Sequence, residues 1–290
     1  MERAVAAVRD AEAPPEELIV VDEPARLGPA AARNLGSRQA TGDILVFVDA
    51  DVEVHSDAFV RIRRAFEDDS TLAAVFGSYD DNPGANGVVS DFRNLLHHHV
   101  HHEGAGVATT FWAGLGAVRR DVFLALGGFD EERFRRPSVE DIELGMRLHA
   151  DGGRILLDAA IQGKHLKSWT LAQMMQTDLL RRGVPWLRLV LEDRRSSTAL
   201  NLGWSHRAGT GISLLLLLGL IRRNPWLVGG TLTLLIVLDR RFYKLLWRSR
   251  GARLAAAGIP LHVVHRLTSA AAVPIALTTH LAAKMRGSAR

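Results

Sequence analysis

No cysteine occurs among the 290 residues. Disulfides, thiolate metal sites and cysteine nucleophiles are thereby excluded, which fits a reducing compartment. Acidic side chains nearly vanish after Leu200, where Asp239 stands alone against 13 Lys and Arg. Before that point 31 acidic residues outnumber 23 basic ones. An acidic body with a basic, apolar tail is not the layout of a DNA-binding protein, and no nucleic-acid partner is expected. The asymmetry predicts a soluble domain over residues 1–200 and a membrane-associated helical region over 201–290. Uninterrupted apolar runs of full bilayer length are also missing. What remains is ample for a folded chain: 47% hydrophobic and 23% charged residues exclude disorder.

The tail holds three uncharged runs, Ala208–Ile221, Asn224–Leu238 and Leu267–Ala283. The longest covers about 25 Å as a helix, against about 30 Å of hydrocarbon. Snorkelling by Arg207, Arg222, Arg223, Arg240 and Arg266 stretches each run, so at least two spanning helices are expected. Between the runs, residues 239–248 mix basic and aromatic side chains and suit a helix lying at the interface. Met1–Asp10 reads as a charged amphipathic start, not as a signal peptide.

The first 200 residues alternate apolar and helical patterns. Glu17–Asp22, Asp43–Asp49 and Leu72–Ser78 read as strands, and Pro29–Ala40 and Ser56–Glu67 read as helices. This βαβαβ order predicts an α/β fold with a mainly parallel sheet flanked by helices. Such sheets bind ligands beyond the carboxyl ends of their strands, where Asp22, Asp49 and Asp51 fall.

Asp49-Ala50-Asp51 directly follows the strand-like run ILVFV. Two carboxylates at i and i+2, where a strand becomes a loop, reach one hard cation together and leave positions open for phosphate. A solvated turn is the plainer reading of the pair by itself. Glu140-Asp141 opens an amphipathic helix, Ile142–His149, and Ser138 to Asp141 has capping-box spacing. His97, His98, His101 and His102 would pair at i and i+4 on a helix, as zinc ligands do, but no third ligand pattern follows.

Several ordered motifs together resemble the family-2 glycosyltransferases. They are GPAAARNLG at Gly28–Gly36, ATGDILVFVDAD at Ala40–Asp51, FWAGLGAVRR at Phe111–Arg120, GGFDE at Gly127–Glu131, VEDIELGMRL at Val139–Leu148 and KHLKSWT at Lys164–Thr170. The resemblance covers roughly Glu17 to Trp186. It implies a GT-A fold with a nucleotide-sugar donor and a divalent cation, Mn²⁺ or Mg²⁺. By the same resemblance Asp22 contacts the base, Arg33 belongs to the donor site, and Asp49 contacts the ribose or the metal. Asp51 holds the metal on the diphosphate, and His165 meets the metal or the departing diphosphate. Asp141 is implied as the general base, with a helix cap as the alternative. Trp112, Gly114, Glu140, Arg181, Arg182 and Trp186 fall on the acceptor or product side.

The expected activity is a metal-dependent, inverting sugar transfer to a lipid or glycan acceptor, on the cytosolic face of the plasma membrane. Arg181 lacks the Gln-x-x-Arg-Trp context of processive relatives, which argues against a processive polysaccharide synthase. Family members usually begin with a further apolar strand ending near Pro-Ala-x-Asn-Glu. None is seen here, so the sequence is expected to be N-terminally shortened, with weak or absent donor binding. Two alternatives stay open: a catalytically impaired relative acting as a membrane-anchored binding or scaffold protein, and a nucleotidyltransferase.

Overall fold

The computed structural model describes residues 1–24, 27–192 and 203–287. These divide into two units, one built from residues 1–84 and 100–167 and the other from 85–99, 168–192 and 203–287. The expected boundary at residues 200 and 201 lies outside the described residues.

The first unit is organised on a six-stranded sheet. Its strands are β1 (Ile44–Val48), β2 (Val52–Val54), β3 (Leu72–Tyr79), β4 (Gly106–Ala108), β5 (Leu115–Arg119) and β6 (Arg154–His165). Their order is β1-β5-β3-β6-β2, with β4 on the flank of β6. Only β3 and β6 pair in parallel; β5 runs antiparallel to both β1 and β3, and β2 and β4 run antiparallel to β6. The sheet is therefore mixed, which corrects the expectation of a mainly parallel one. The βαβαβ pattern is read locally, whereas β5 comes from a distant segment and inserts between β1 and β3. Because β5 opposes both neighbours, β1, β3 and β6 still point the same way, and their carboxyl ends share one edge.

Glu17–Asp22 is a second correction, for it forms no strand. Ile19 and Val21 approach Gly36 instead, and the Glu17 carboxylate accepts a 2.9 Å hydrogen bond from the Thr41 amide. The apolar side chains of this segment are used on a helix, so its backbone is not laid along β1.

Helices α1 (Glu2–Arg9), α2 (Pro29–Gln39), α3 (Ala58–Asp68), α5 (Arg120–Ala125) and α6 (Glu140–Ala150) accompany the sheet, as do the last residues of α4 (Val88–Glu103). α2 starts where Pro29, whose amide is missing anyway, takes the first helical position. On α3 the buried Phe59, Ile62 and Phe66 recur every three or four residues, a one-faced helix. β3 is buried along its whole length, as a strand in mid-sheet must be. Phe47, Phe123 and Phe129 meet with ring centroids 5.3–5.5 Å apart beneath β1. Each such ring contributes about 1.5–3 kcal/mol through burial.

The second unit is helical: α7 (Leu171–Gln176), a π-helical turn (Thr177–Gly183), α8 (Val184–Glu192), α9 (Trp204–Ile221), α10 (Pro225–Leu238) and α11 (Arg240–Gly287). Thr170 and Gln173 form a reciprocal capping box on α7, and the Asn224 side chain caps α10. α11 is broken at Gly251, whose φ of 79° lies in the left-handed region that favours glycine. The two arms fold back on each other. Tyr243 lies 3.3 Å from His262, and a side chain at Gly258 would strike Leu246. A buried polar network ties the unit together, with Arg93 and His265 on Asp178 at 2.6 and 2.7 Å and Arg266 on Asp239 at 2.7 Å.

Among the described residues no helix is long and apolar enough to cross a membrane. This corrects the expectation of spanning helices. α10 has 14 residues and rises about 21 Å. α9 carries His206 and Arg207 in its first turn. α11 is charged along its first arm and buries His262, His265 and Arg266 on its second.

Candidate functional site

The Asp49-Ala50-Asp51 segment is a tight turn between β1 and β2, closed by a 2.9 Å bond from the Val52 amide to the Asp49 carbonyl. Two further backbone bonds hold it. The Asp49 amide donates to the Gly114 carbonyl at 3.0 Å, and the Leu166 amide donates to the Asp51 carbonyl at 2.8 Å. The segments before β5 and after β6 thus pin the turn at the shared carboxyl edge.

His165 is the last residue of β6, not a loop residue, and it is buried. Its Nε2 lies 3.5 Å from Asp51 Oδ2. Burial opposes the Asp51 charge, but the His165 hydrogen bond and charge outweigh it, with Lys167 adding to them, so the carboxyl is held below its ordinary value. The His165 ring stacks on Tyr79 at 4.2 Å, and Tyr79 meets Trp112 edge-to-face at 4.9 Å. Trp112 in turn lies across Gly114. An aromatic wall therefore runs from the Asp51 partner to the Phe111–Gly114 segment.

Arg33, on α2, reaches both Asp49 Oδ1 (2.7 Å) and Glu140 Oε1 (3.0 Å). Burial disfavours its charge, yet Asp49, Glu140 and Asp141 together outweigh that, and the guanidinium is held charged more firmly than usual. Glu140 is buried, and its second oxygen accepts from the Ser138 amide at 2.9 Å. The structure thus brings Asp49 and Glu140 onto one arginine and places Asp51 apart, beside His165.

Asp141 is the second residue of α6. The N-cap residue is Val139, whose side chain makes no cap bond. Asp141 Oδ2 accepts a 3.3 Å bond from the Ala113 amide. Gly145, one turn further along, makes this possible. A side chain there would lie only 2.2 Å from the Phe111 amide nitrogen, so α6 can rest on the 110–113 backbone only with glycine. Ala113 and Gly114 then join the two acidic motifs, the first through Asp141 and the second through Asp49.

Asp22 is exposed in the segment that approaches α2. Arg181, Arg182 and Trp186 belong to the second unit, where Arg181 is exposed, Arg182 acts electrostatically on Asp178, and Trp186 is buried in α8. The histidine run lies on α4, where His101 makes a 2.8 Å bond to the Gly77 carbonyl.

Sequence reasoning missed Tyr79 and the His55–Asp80 pair. Asp80 follows the carboxyl end of β3, and the rule that singled out Asp49 would have found it. His55 Nε2 lies 3.0 Å from Asp80 Oδ2, and that hydrogen bond raises the His55 pKa. Tyr79 gives no sequence signal, because its stacking on His165 needs the parallel β3–β6 register.

Among the described residues no three acidic or histidine side chains converge as a metal cage. Asp51 and His165 offer one oxygen and one nitrogen. That fits a cation of the Mg²⁺ or Mn²⁺ kind, which takes one or two protein ligands and completes its shell with phosphate oxygens and water.

The family model described as glycosyl transferase family 2 matches residues 1–127. Over this stretch the chain is similar to glycosyltransferase family 2. The matched residues include the Asp49–Asp51 turn, Arg33 and the Trp112–Gly114 segment, while Asp141 and His165 lie beyond them. No curated protein matches the sequence. Among solved structures, the chain is similar to the mannosyltransferase PcManGT from Pyrobaculum calidifontis in complex with GDP-Man and Mn²⁺. Identity is 18% over 86% of this chain and 66% of that one, with a TM-score of 0.48. It is also similar to S. aureus TarS 1–349, with 16% identity over 85% of this chain and 71% of that one and a TM-score of 0.34. The chain thus spans just under two thirds of the mannosyltransferase.

Proposed function

We propose that this chain is a GT-A-type inverting glycosyltransferase that moves a sugar from a nucleoside-diphosphate sugar to a hydroxyl of a lipid or glycan acceptor. The observation that carries the reading is the Ala113–Gly114 junction. It holds Asp141 by one amide and the Asp49–Asp51 turn by one carbonyl, so a base and a donor-site turn are fixed on the same short segment.

In this reading Asp141 takes the proton of the acceptor hydroxyl as its oxygen attacks the anomeric carbon. The bond from that carbon to the diphosphate oxygen breaks on the opposite face, and the configuration inverts. Arg33 fixes Asp49 for the ribose and holds Glu140 in place beside Asp141. Asp22 serves the base, and the Trp112–Tyr79 wall excludes water from one side. Asp51 and His165 are the residues that would hold a divalent cation, which when bound offsets charge on the departing diphosphate.

The second unit is proposed to lie on the cytosolic face of the plasma membrane without spanning it. Support comes from the 13 basic residues that face a single acid after Leu200 and from exposed apolar side chains on α9 and α10, with Ile221 69% and Trp226 88% accessible. The test is a screen of nucleotide sugars for Mn²⁺- or Mg²⁺-dependent release of nucleoside diphosphate, with the protein in detergent or lipid. Release from none of them, with the protein folded, would overturn the reading.

A further inference from the structure

Within the second unit a groove of about 770 Å³ opens between the two arms of α11. Its walls are almost wholly apolar. Ile236 at the end of α10, Trp247 on the first arm, and Ala255, Ala256 and Ile259 on the second arm form much of the lining. Alanines keep the second arm low, and the break at Gly251 turns that arm back beside the first. The volume falls in the range of sites for small organic ligands, about 300–1,000 Å³.

Lys244 and Arg248 also line this groove. They are one helical turn apart and so share a face of the first arm. Both are exposed. The one acid of the C-terminal segment, Asp239, is engaged by Arg266 and makes no ion pair with either. Trp247 stands between them, 62% exposed, an aromatic beside two cations at the mouth of an apolar slot. The slot continues through Ile236 onto the exposed face of α10, where Leu234 and Val237 are also open. The chemistry that matches this layout is a long hydrocarbon chain ending in a negatively charged phosphate.

We propose that the groove between the arms of α11 takes one acyl chain of an anionic bilayer phospholipid, with the lipid phosphate bound between Lys244 and Arg248. This rests on the reading of the second unit as a membrane-surface element and gives that element a specific lipid site. It does not depend on sugar transfer. The snorkelling reach of Lys244 and Arg248 sets the phosphate at headgroup level while Trp247 and the alanine floor hold the chain.

The experiment is flotation of the full chain with phosphatidylcholine vesicles, with and without about 30% phosphatidylglycerol. Wild type is expected to float with the anionic vesicles and to leave the neutral ones. The double variant Lys244→Gln/Arg248→Gln is expected to bind the anionic vesicles about 30-fold more weakly, the value for two basic side chains at an anionic surface. Ala256→Phe fills the groove from an exposed position, so folding is not at stake, and it too is expected to weaken binding several-fold with an unchanged melting temperature. Failure of wild type to float overturns the membrane reading and the groove together. Loss with the charge variant but full binding by Ala256→Phe shows a surface attraction alone and overturns the groove. A dimer in solution that Ala256→Phe dissociates shows that a second copy covers the groove, and overturns it likewise.

Discussion

Arg33 Nη2 lies 2.7 Å from Asp49 Oδ1, an ion pair that ties α2 to the carboxyl end of β1. The same guanidinium holds Glu140 at 3.0 Å, so one cation joins three segments that are far apart in the chain. Arg33→Ala leaves the Glu140 carboxylate, only 6% exposed, without its countercharge. Removal of one partner of a buried pair costs about 3–5 kcal/mol. A double-mutant cycle with Glu140→Gln is the measurement. The double variant should be less unstable than the sum of the singles; strict additivity would mean that the pair carries no coupling.

Asp141→Asn should lower turnover by roughly 10²–10⁴-fold and leave stability nearly unchanged. An asparagine oxygen can still accept from the Ala113 amide, and the α6 cap sits at Val139. A cap role predicts the reverse, with about 1 kcal/mol lost and turnover kept. Melting and nucleoside-diphosphate release measured on the same protein decide between them.

Asp51→Asn should abolish the response of turnover to Mn²⁺ or Mg²⁺. His165→Ala should raise the metal concentration needed and lower the maximal rate less. Asp51 and His165 face each other at 3.5 Å, and of the two the carboxylate is the harder oxygen ligand for such a cation. An unchanged metal titration in Asp51→Asn would remove Asp51 from the donor site.

Acid should loosen the helical unit before it affects the carboxylates there. Burial, helped by the charges of His265 and Arg266, pushes the His206 pKa down to about 4. Burial pushes His262 well below its usual value, with Arg266 adding to it. Folded histidines with depressed pKa values bind fewer protons than unfolded ones. Their contribution is complete above about pH 6.5 and is lost as pH falls through that value toward the folded pKa. Asp178 is held at about 2, where the charges of Arg93 and His265 outweigh its burial, so its contribution persists until pH falls below about 4. The melting temperature should therefore fall between about pH 7 and about pH 5. The variant His206→Asn/His262→Gln should show a flatter profile, and a flat profile in wild type would contradict the assignment.

Local chemistry was legible in the sequence wherever it depends on neighbours in the chain. The apolar run before Asp49, the proline that starts α2 and the acidic pair that opens α6 are all set by bonds within a few residues. The loss of acids after Leu200 likewise needs no structure to be read. Tertiary packing decided the rest. Glu17–Asp22 has the pattern of a strand, but its side chains turn to α2, because pairing depends on what else competes for the same apolar surface. β5 entered between β1 and β3 although it follows both in the chain, and no local periodicity encodes strand direction. The division of the two acids of the turn, Asp49 to Arg33 and Asp51 to His165, required both partners to arrive from other segments. A carboxylate's role follows from the charge that reaches it, and only the folded chain brings that charge within 3 or 4 Å.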